Sequence, residues 1–437
     1  MDLSKYDYAV PRYTSFPTAV QFKLGMSPTV MSARLAGLPR HEAISLYTHI
    51  PFCHQLCLYC GCNTTVSPTY DRLETYIDLL LQEITLAGRH VQKGIKVNRI
   101  HFGGGSPNYA NIEDLERILN AYATLFDTTN AQIDMECDPR LFDPEKIAGL
   151  GKLGVKRVSL GIQDFDPIVQ AAIKREQPYE LVARHVAQLY KAGIKMINFD
   201  LIIGLPEQTL ATVQDTLDKA ISLAPSRMSV FPYAHVPWMM KHQRVLEQYD
   251  MPDTGLREDM ADLVESRLLD AGYIQIGMDH FALPDDPLAK ALEDGSLRRN
   301  FQGYSADPSR TILGFGHSSI SQFSDAYVQN TADAAQYRQL IRANMLPVSR
   351  GFVLSLDDMA RRRLIKTMLC TFKIKFADHP DVPIPYAALA PLAADGVITL
   401  DDDGLTVTKE GRRIARIVAS CFDPYFEKGT ERHAKAV

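Results

Sequence analysis

No stretch of this sequence is apolar over the roughly 20 residues that a helix needs to cross a lipid bilayer. The chain also begins without the basic segment and apolar run of a secretory signal. We therefore expect a cytoplasmic protein without a membrane span. Internal repeats and low-complexity tracts are missing too, so a chain of 437 residues is expected to form two or three compact units.

Long basic runs are also absent. The formal net charge is −5 at pH 7, and no run of Lys and Arg is longer than three residues. Proteins that bind nucleic acids neutralise phosphates with grouped basic residues, and anionic membrane surfaces attract the same groups. We therefore expect neither a nucleic acid nor a membrane surface as a partner.

Cysteine is scarce, with 7 residues in 437, but four of the seven stand close together. Cys53, Cys57, Cys60 and Cys62 directly follow a strand-like run at residues 45–50. Thiolates at this spacing can reach one soft metal centre from a single short loop, and cysteine thiolates are the usual ligands of iron–sulfur clusters. The spacing predicts an iron–sulfur site.

Four kinds of site compete for these cysteines: disulfides, a structural zinc, an iron–sulfur electron carrier, and a cluster with one open iron. A cytoplasmic chain with few cysteines argues against disulfides. No second Cys-x-x-Cys completes a zinc site. An electron carrier needs a fourth ligand, and Cys62 stands only one residue beyond the third candidate, Cys60. The simplest arrangement uses Cys53, Cys57 and Cys60 and leaves one iron open.

The pattern Cys-x3-Cys-x2-Cys, with Tyr59 before the third cysteine, resembles the signature of radical S-adenosylmethionine (SAM) enzymes. Residues 47–63, which include the fourth cysteine, resemble more narrowly the oxygen-independent coproporphyrinogen III oxidases of haem biosynthesis. Further matching stretches cover nearly the whole chain, at residues 11–18, 102–107, 160–165, 200–206, 229–235, 277–282 and 299–304.

The resemblance implies a 4Fe-4S cluster on three cysteines, with SAM bound to the fourth iron. It further implies a 5′-deoxyadenosyl radical that removes a β-hydrogen from a propionate side chain. Two propionates of coproporphyrinogen III would lose carbon dioxide and become vinyl groups, which gives protoporphyrinogen IX. We expect a monomer that receives electrons from a donor such as flavodoxin or ferredoxin; the terminal electron acceptor stays open.

Two alternative functions remain. A haem-binding chaperone of the same superfamily would share the cysteine loop, although the fourth cysteine, Cys62, and the segment at residues 11–18 argue against it. A radical SAM methyltransferase of tetrapyrroles, or a haem-degrading enzyme, would share both cluster and cofactor. Analysis of the reaction products separates these alternatives.

The resemblance also assigns roles to individual residues, each of which has an ordinary structural interpretation when taken singly. Positions that match contacts to a first SAM are Tyr47, Gly104, Glu136 and Ile320. Positions that match contacts to a second SAM are Tyr59, Gly105, Ser106, Gln163, Arg175, Asp200 and Ala234. Cys62 is predicted to be catalytic and not a cluster ligand. Candidates for the substrate carboxylates are Arg12, Arg298 and Arg299, because arginine forks hold carboxylates well.

Short apolar and β-branched runs alternate with amphipathic helical stretches along the first half of the chain. Strands are predicted at residues 45–50, 98–103, 132–137, 156–161, 196–203 and 228–233. Alternation of this kind predicts an α/β fold with a parallel sheet, without separating a barrel from an open sheet. The resemblance implies a partial (βα)6 TIM-like barrel, with its site at the carboxyl ends of the strands.

We expect three parts in the chain. An arm at residues 1–27 lacks periodicity and is predicted to wrap a larger body. A catalytic domain is predicted at 28–350, with six βα units at about 41–240 and an extension that caps the site. The C-terminal domain, 351–437, is predicted to be small and mainly helical, resembling a winged helix with a hairpin at 398–407.

Overall fold

The computed structural model describes residues 4–6 and 8–428, and its centre is a sheet of six parallel strands. In chain order these strands are β1 (Ile44–Ile50), β2 (Ile95–Gly104), β3 (Gln132–Cys137), β4 (Val155–Gln163), β5 (Met196–Ile203) and β6 (Arg227–Pro232). Each strand pairs in parallel with the next one along the chain. All six predicted strands are confirmed, with ends that differ by no more than three residues.

Helices follow the strands and cover the outer face of the sheet. The main ones are α1 (Asp71–Gly88), α2 (Ile112–Ala123), α3 (Pro144–Lys152), α4 (Tyr179–Lys191), α5 (Leu210–Ser222) and α6 (Thr254–Asp270). Side chains three or four residues apart share one face of a helix, and in α1 Ile77, Leu80 and Ile84 are buried in this way. The N-terminus of α5 carries a capping box between Thr209 and Thr212, which satisfies backbone N–H groups that the helix leaves free.

The sheet continues on both sides of these six strands without closing, and the first added strand, Ile312–Phe315, is also parallel to β1. Beside β1 lie, in order, Ile312–Phe315, Ile320–Gln322, Ala326–Asn330, Val348–Val353 and Lys23–Leu24. Beside β6 lie the antiparallel strands His280–Ala282 and Ile274–Ile276. Among the described residues the two outermost strands do not pair with each other, so the fold is an open, partial barrel. The predicted fold class is confirmed.

Smaller elements connect these parts. The remaining helices of the catalytic part are Pro28–Ala36, Pro167–Ala172, Pro287–Glu293 and Ala334–Arg342, and short strands pair as Phe52–Cys53 with Thr65–Val66 and Arg298–Asn300 with Gly303–Ser305. The strand Phe126–Asp127 pairs with β2. No described helix has both the length and the apolarity that a membrane span requires.

The last part of the chain combines three helices with a small sheet. Its helices are Leu356–Thr371, Tyr386–Ala394 and Ala415–Ser420, and its strands are Lys373–Lys375, Ile398–Leu400 and Gly404–Val407. The predicted hairpin is confirmed, because the last two strands pair in antiparallel register. A third strand lies against the hairpin through Gly404–Val407.

The N-terminal arm packs on this C-terminal part. Tyr13 and Phe16 are buried in one apolar cluster with Leu364 and Val418, and the Tyr13 hydroxyl donates a hydrogen bond to Asp423 at 3.0 Å. The strand Val348–Val353 crosses the boundary expected at residues 350 and 351. The division into three domains therefore stays a prediction. Residues 1–3 and 7 of the predicted arm and residues 429–437 of the predicted C-terminal domain lie outside the described residues.

Candidate active site

The cysteine loop follows β1 and is held at its base by backbone pairing. Phe52–Cys53 pairs with Thr65–Val66, and the Thr65 N–H donates to the carbonyl of Pro51 at 2.7 Å. All four cysteines of the loop line one cavity of about 220 Å³. The local sequence therefore forms a closed loop that presents several thiols to the same space.

Cys57 is buried, and two guanidinium groups donate hydrogen bonds to its sulfur. Arg175 donates at 3.3 Å and Arg140 at 3.5 Å. Both arginines also contact the buried carboxylate of Asp138, at 3.4 and 2.6 Å. Two cations that share one carboxylate leave a positive charge beside the sulfur, and that charge stabilises a thiolate ligand.

The other two predicted ligands have their own partners. The Ser106 hydroxyl donates to the Cys53 sulfur at 3.6 Å, and the backbone N–H of Cys62 donates to the Cys60 sulfur at 3.4 Å. Hydrogen bonding with Cys62 lowers the pKa of Cys60 to about 6, whereas burial raises the pKa of Cys53 to about 11.

Within the described ranges, no three or more Cys, His, Asp and Glu side chains surround a single ion position. The thiolates of an iron–sulfur cubane bind different irons, so they need not converge on one point. Three thiols of one loop around one cavity, with cationic donors at Cys57, fit a cluster of this kind.

The glycines at the end of β2 approach the cysteine loop closely. Gly105 donates its N–H to Ile50 O at 2.8 Å, and a Cβ placed on Gly105 would lie 2.7 Å from the backbone oxygen of Phe52. Gly104 has φ +118°, a conformation that favours glycine. A side chain at Gly105 would collide with the backbone of the cysteine loop. Glycine is therefore required here for the close approach of the two segments, in addition to any turn that it forms.

Glu136 stands at the end of β3 and faces the same cavity. It accepts hydrogen bonds from the Gly104 N–H at 3.0 Å and from His101 at 3.1 Å. Burial by itself would raise the pKa of Glu136, but the bonds from His101 and Gly104 outweigh burial and hold this pKa below its usual value. Tyr47 stacks on the His101 ring, with ring centres 5.8 Å apart. Glu136 is thus a fixed anion suited to an ammonium group.

A second polar group lies at the ends of β4 and β5. Arg175 donates to the carbonyl of Gly161 at 2.6 Å, and Gln163 adopts a positive φ of 67° at the end of its strand. Asp200 accepts from Ser159 at 2.6 Å, and burial raises its pKa. These side chains line the same cavity, and Arg175 also contacts the cysteine loop through the Cys57 sulfur.

A short 3₁₀ segment, Lys241–Gln248, fastens the cysteine loop from the far side of β6. Gln243 is 0 % exposed, and its amide donates to the carbonyls of Tyr59 at 2.9 Å and Ala234 at 3.2 Å. His242 donates to the carbonyl of Cys60 at 2.8 Å. The loop position therefore depends on a segment about 180 residues further along the chain.

Comparison with known proteins agrees with this geometry. The model of the Radical SAM superfamily matches residues 47–220. The chain is 42% identical to the oxygen-independent coproporphyrinogen III oxidase of Bradyrhizobium diazoefficiens, over 98% of this chain and 97% of that protein. The protein of the same name from Pseudomonas aeruginosa is 40% identical, over 97% of this chain and 95% of that one. A solved structure of the Escherichia coli coproporphyrinogen III oxidase, described as a radical SAM enzyme, gives a TM-score of 0.89 at 36% identity and covers 95% of this chain and 98% of its own.

The chain belongs to the family of oxygen-independent coproporphyrinogen III oxidases. It is accordingly a radical SAM oxidoreductase, a class whose members use an iron–sulfur cluster and SAM. The predicted family and enzyme class are confirmed.

Most of the predicted site residues share the cavity. They are Cys53, Cys57, Tyr59, Cys60, Cys62, Gly104, Gly105, Ser106, Glu136, Gln163, Arg175 and Asp200. Tyr47 stacks on the ring of His101, the residue that donates a hydrogen bond to Glu136. Ala234 accepts a hydrogen bond from Gln243 through its backbone carbonyl. Ile320 packs beside Phe22 and Tyr327, outside the residues that line the cavity. The roles of all these residues stay predictions.

Several residues of the site were missed by sequence reasoning. Asp138 and Arg140 follow β3 directly, and a charged pair just after a strand is a signal that could have indicated them. His242 and Gln243 carry no such signal, because nothing nearby in the sequence distinguishes them from surface residues. His101 was placed within a predicted strand without a role, although it holds Glu136.

Proposed function

We propose that this chain catalyses the oxygen-independent oxidative decarboxylation of coproporphyrinogen III to protoporphyrinogen IX. The observation that carries the proposal is the shared cavity of Cys53, Cys57, Cys60 and Glu136, in a chain that is 42% identical over nearly its whole length to an enzyme of this name. Two propionate side chains would each lose a β-hydrogen atom, carbon dioxide and one electron, which passes to an electron acceptor, and so become vinyl groups.

In this proposal Cys53, Cys57 and Cys60 hold a 4Fe-4S cluster and leave one iron to SAM. When bound, these cofactors supply the electron and the 5′-deoxyadenosyl radical that removes the β-hydrogen. The guanidinium groups of Arg140 and Arg175 offset the negative charge of the Cys57 sulfur on iron. Cys62 donates its N–H to Cys60 and lines the cavity, which supports a place beside the cluster on the substrate side.

Binding of SAM draws on the rest of the cavity. The anionic carboxylate of Glu136 would hold the amino group of a first SAM, and Gly104 would let that SAM approach the backbone; Tyr47 and Ile320 belong to the same predicted set. A second SAM would contact Tyr59, Gly105, Ser106, Gln163, Arg175, Asp200 and Ala234. The support for two molecules is that two sets of polar groups line the cavity, Glu136 with Gly104 and Gln163 with Arg175 and Asp200.

The same proposal includes the partners. A reaction that starts with a single electron needs a one-electron donor such as flavodoxin or ferredoxin. A monomeric state and a cytoplasmic location also stay predictions.

Anaerobic turnover tests the proposal. Reconstituted enzyme is incubated with coproporphyrinogen III, SAM and a reducing system, and products are followed by mass spectrometry. The expected products are 5′-deoxyadenosine and a tetrapyrrole with two vinyl groups, and Cys57→Ala should form neither. An unchanged tetrapyrrole together with cleaved SAM would support the chaperone alternative instead, and a methylated tetrapyrrole would support the methyltransferase.

A further inference from the structure

A second cavity lies deeper in the barrel, towards the amino ends of the strands. It measures about 240 Å³ and shares Glu136, Ser159 and Asp200 with the cysteine cavity. The strand register pairs Glu136 with Ser159 and, two residues earlier, Asp134 with Arg157. A strand rises about 3.3 Å per residue, so this second layer lies roughly 7 Å further inside the lumen.

Arginine dominates the deeper layer. Arg99 on β2, Arg157 on β4 and Arg227 on β6 all line the cavity, and each is buried. Arg227 is paired with Asp286, with Nε 2.6 Å from the carboxylate. Arg99 lies 3.3 Å from Asp134. Within this layer three guanidinium groups therefore share the carboxylates of Asp134 and Asp286, whereas Glu136 and Asp200 line the same cavity one layer nearer the cysteines.

Arg157, which is 7 % exposed, has the longest carboxylate contact of the three arginines. Its nearest carboxylate oxygen, on Asp134, is 3.6 Å away, and its hydrogen bond goes to the thioether of Met196 at 3.6 Å. Its Nε has no hydrogen-bond partner among the described residues. Burial lowers the pKa of Arg157 to about 9, and the charges of Arg227 and Arg99 act in the same direction. A buried cation without a full partner is costly, so the layer is built to receive an anion.

We propose that Arg157, flanked by Arg99 and Arg227, binds one carboxylate of the tetrapyrrole substrate; this inference rests on the proposed function. Guanidinium forks match the geometry of carboxylates. The cavity is smaller than the roughly 300–1,000 Å³ of pockets that enclose drug-sized ligands, so it admits a propionate arm and excludes the macrocycle. A propionate anchored at Arg157 would extend past Glu136 and Asp200, which also line the cofactor cavity. Arg157 thereby limits how deeply the substrate enters the barrel.

The arginines suggested by the sequence are placed differently. Arg299 lies over the ring of Tyr304 and donates to the backbone oxygen of Arg12. Burial alone would raise the pKa of Asp279, but His280, Arg299 and Arg12 together hold it well below its usual value. Arg298 is exposed and outside the lumen cavity. These three arginines stay candidates for the other carboxylates of the substrate.

Substitution of Arg157 tests the proposal. Arg157→Gln should raise the KM for coproporphyrinogen III at least tenfold, with iron content and substrate-free cleavage of SAM as in the wild type. Arg157→Lys should recover part of the loss, because it restores the charge without the fork. The matched control is Arg184→Gln, on the exposed side of α4, which should change none of these values. An unchanged KM in Arg157→Gln would overturn the proposal, as would a KM that rises only together with loss of iron.

Direct binding separates this inference from the proposed function. Coproporphyrin III, the oxidised and fluorescent tetracarboxylate, is titrated into the reconstituted holoenzyme. Tight binding that Arg157→Gln weakens at least tenfold would support the site even if no turnover occurs. Equal binding by both proteins would overturn the site even if the wild type turns over.

Crystals of the wild-type holoenzyme with coproporphyrin III give a result that does not depend on the folding of a variant. A propionate oxygen within hydrogen-bond distance of Arg157 would support the proposal. A bromide or chloride ion beside Arg157, with every propionate elsewhere, would show a site for inorganic anions only and would overturn it.

Discussion

Replacement of Gln243 by Ala should loosen the cysteine loop without touching any predicted ligand. The side chain is 0 % exposed and makes three hydrogen bonds, to Tyr59 O, Ala234 O and the Val236 N–H. Only the bond to Tyr59 reaches the cysteine loop, and a neutral hydrogen bond contributes about 1 kcal/mol net. Because 1.4 kcal/mol is a factor of ten, local opening of the loop should become about fivefold more frequent.

The assay is removal of the reconstituted cluster by an iron chelator, followed by visible absorbance under anaerobic conditions. Gln243→Ala should lose its cluster about five times faster than the wild type if loop opening limits the rate. The melting temperature should change little. Global unfolding breaks all three bonds, worth about 3 kcal/mol, and an unfolding entropy of about 2.1 cal/mol/K per residue over 437 residues converts this into a shift of about 3 °C.

The matched control is Gln248→Ala, an exposed glutamine in the same segment, which should lose iron at the wild-type rate. A cluster in Gln243→Ala that resists the chelator as well as the wild-type cluster would refute the reasoning. It would show that the loop is held without the segment Lys241–Gln248.

Three further predictions follow from the same structure. Cys53→Ala, Cys57→Ala and Cys60→Ala should each lose the cluster, whereas Cys62→Ala should keep it; iron and sulfide analysis decides, and an iron-free Cys62 variant would overturn the three-ligand assignment. Gly105→Ala should abolish SAM cleavage and cluster retention, because its Cβ would lie 2.7 Å from Phe52 O, whereas Gly255→Ala, with its nearest neighbour at 3.6 Å, should behave as the wild type. Glu83 is buried among hydrogen-bond donors, and burial raises its pKa from 4.5 to about 7. Between these pH values Glu83 is protonated in the folded protein and ionised in the unfolded chain. Relative to Glu83→Gln, the wild type should therefore lose about 3 kcal/mol of unfolding free energy as pH rises through this window. Urea unfolding of both proteins at about pH 5 and about pH 7.5 measures this loss. If Glu83 were ionised throughout, the two proteins would show no such difference.

The sequence by itself determined the parts that depend on neighbours in the chain. The cysteine spacing and the short loop after β1 are local, so thiols separated by a few residues reach one cavity in any fold that begins the loop at a strand end. The strands were predictable because parallel strands are buried on both faces and therefore appear as apolar runs. The carboxyl ends of such strands meet at one edge, which is why Glu136 and Gln163 could be expected near the cysteines.

Only the tertiary structure decided the contacts that join distant segments. Gln243 and His242 meet the cysteine loop across 184 and 182 residues, and no local pattern encodes a contact of that separation. Arg99, Arg157 and Arg227 each follow a polar residue and precede an apolar one, so the local pattern does not separate an inward-facing arginine from a solvent-facing one. The curvature of the sheet turns these side chains inward and brings the three guanidinium groups together in a lumen, where burial and the charges of Arg227 and Arg99 lower the pKa of Arg157.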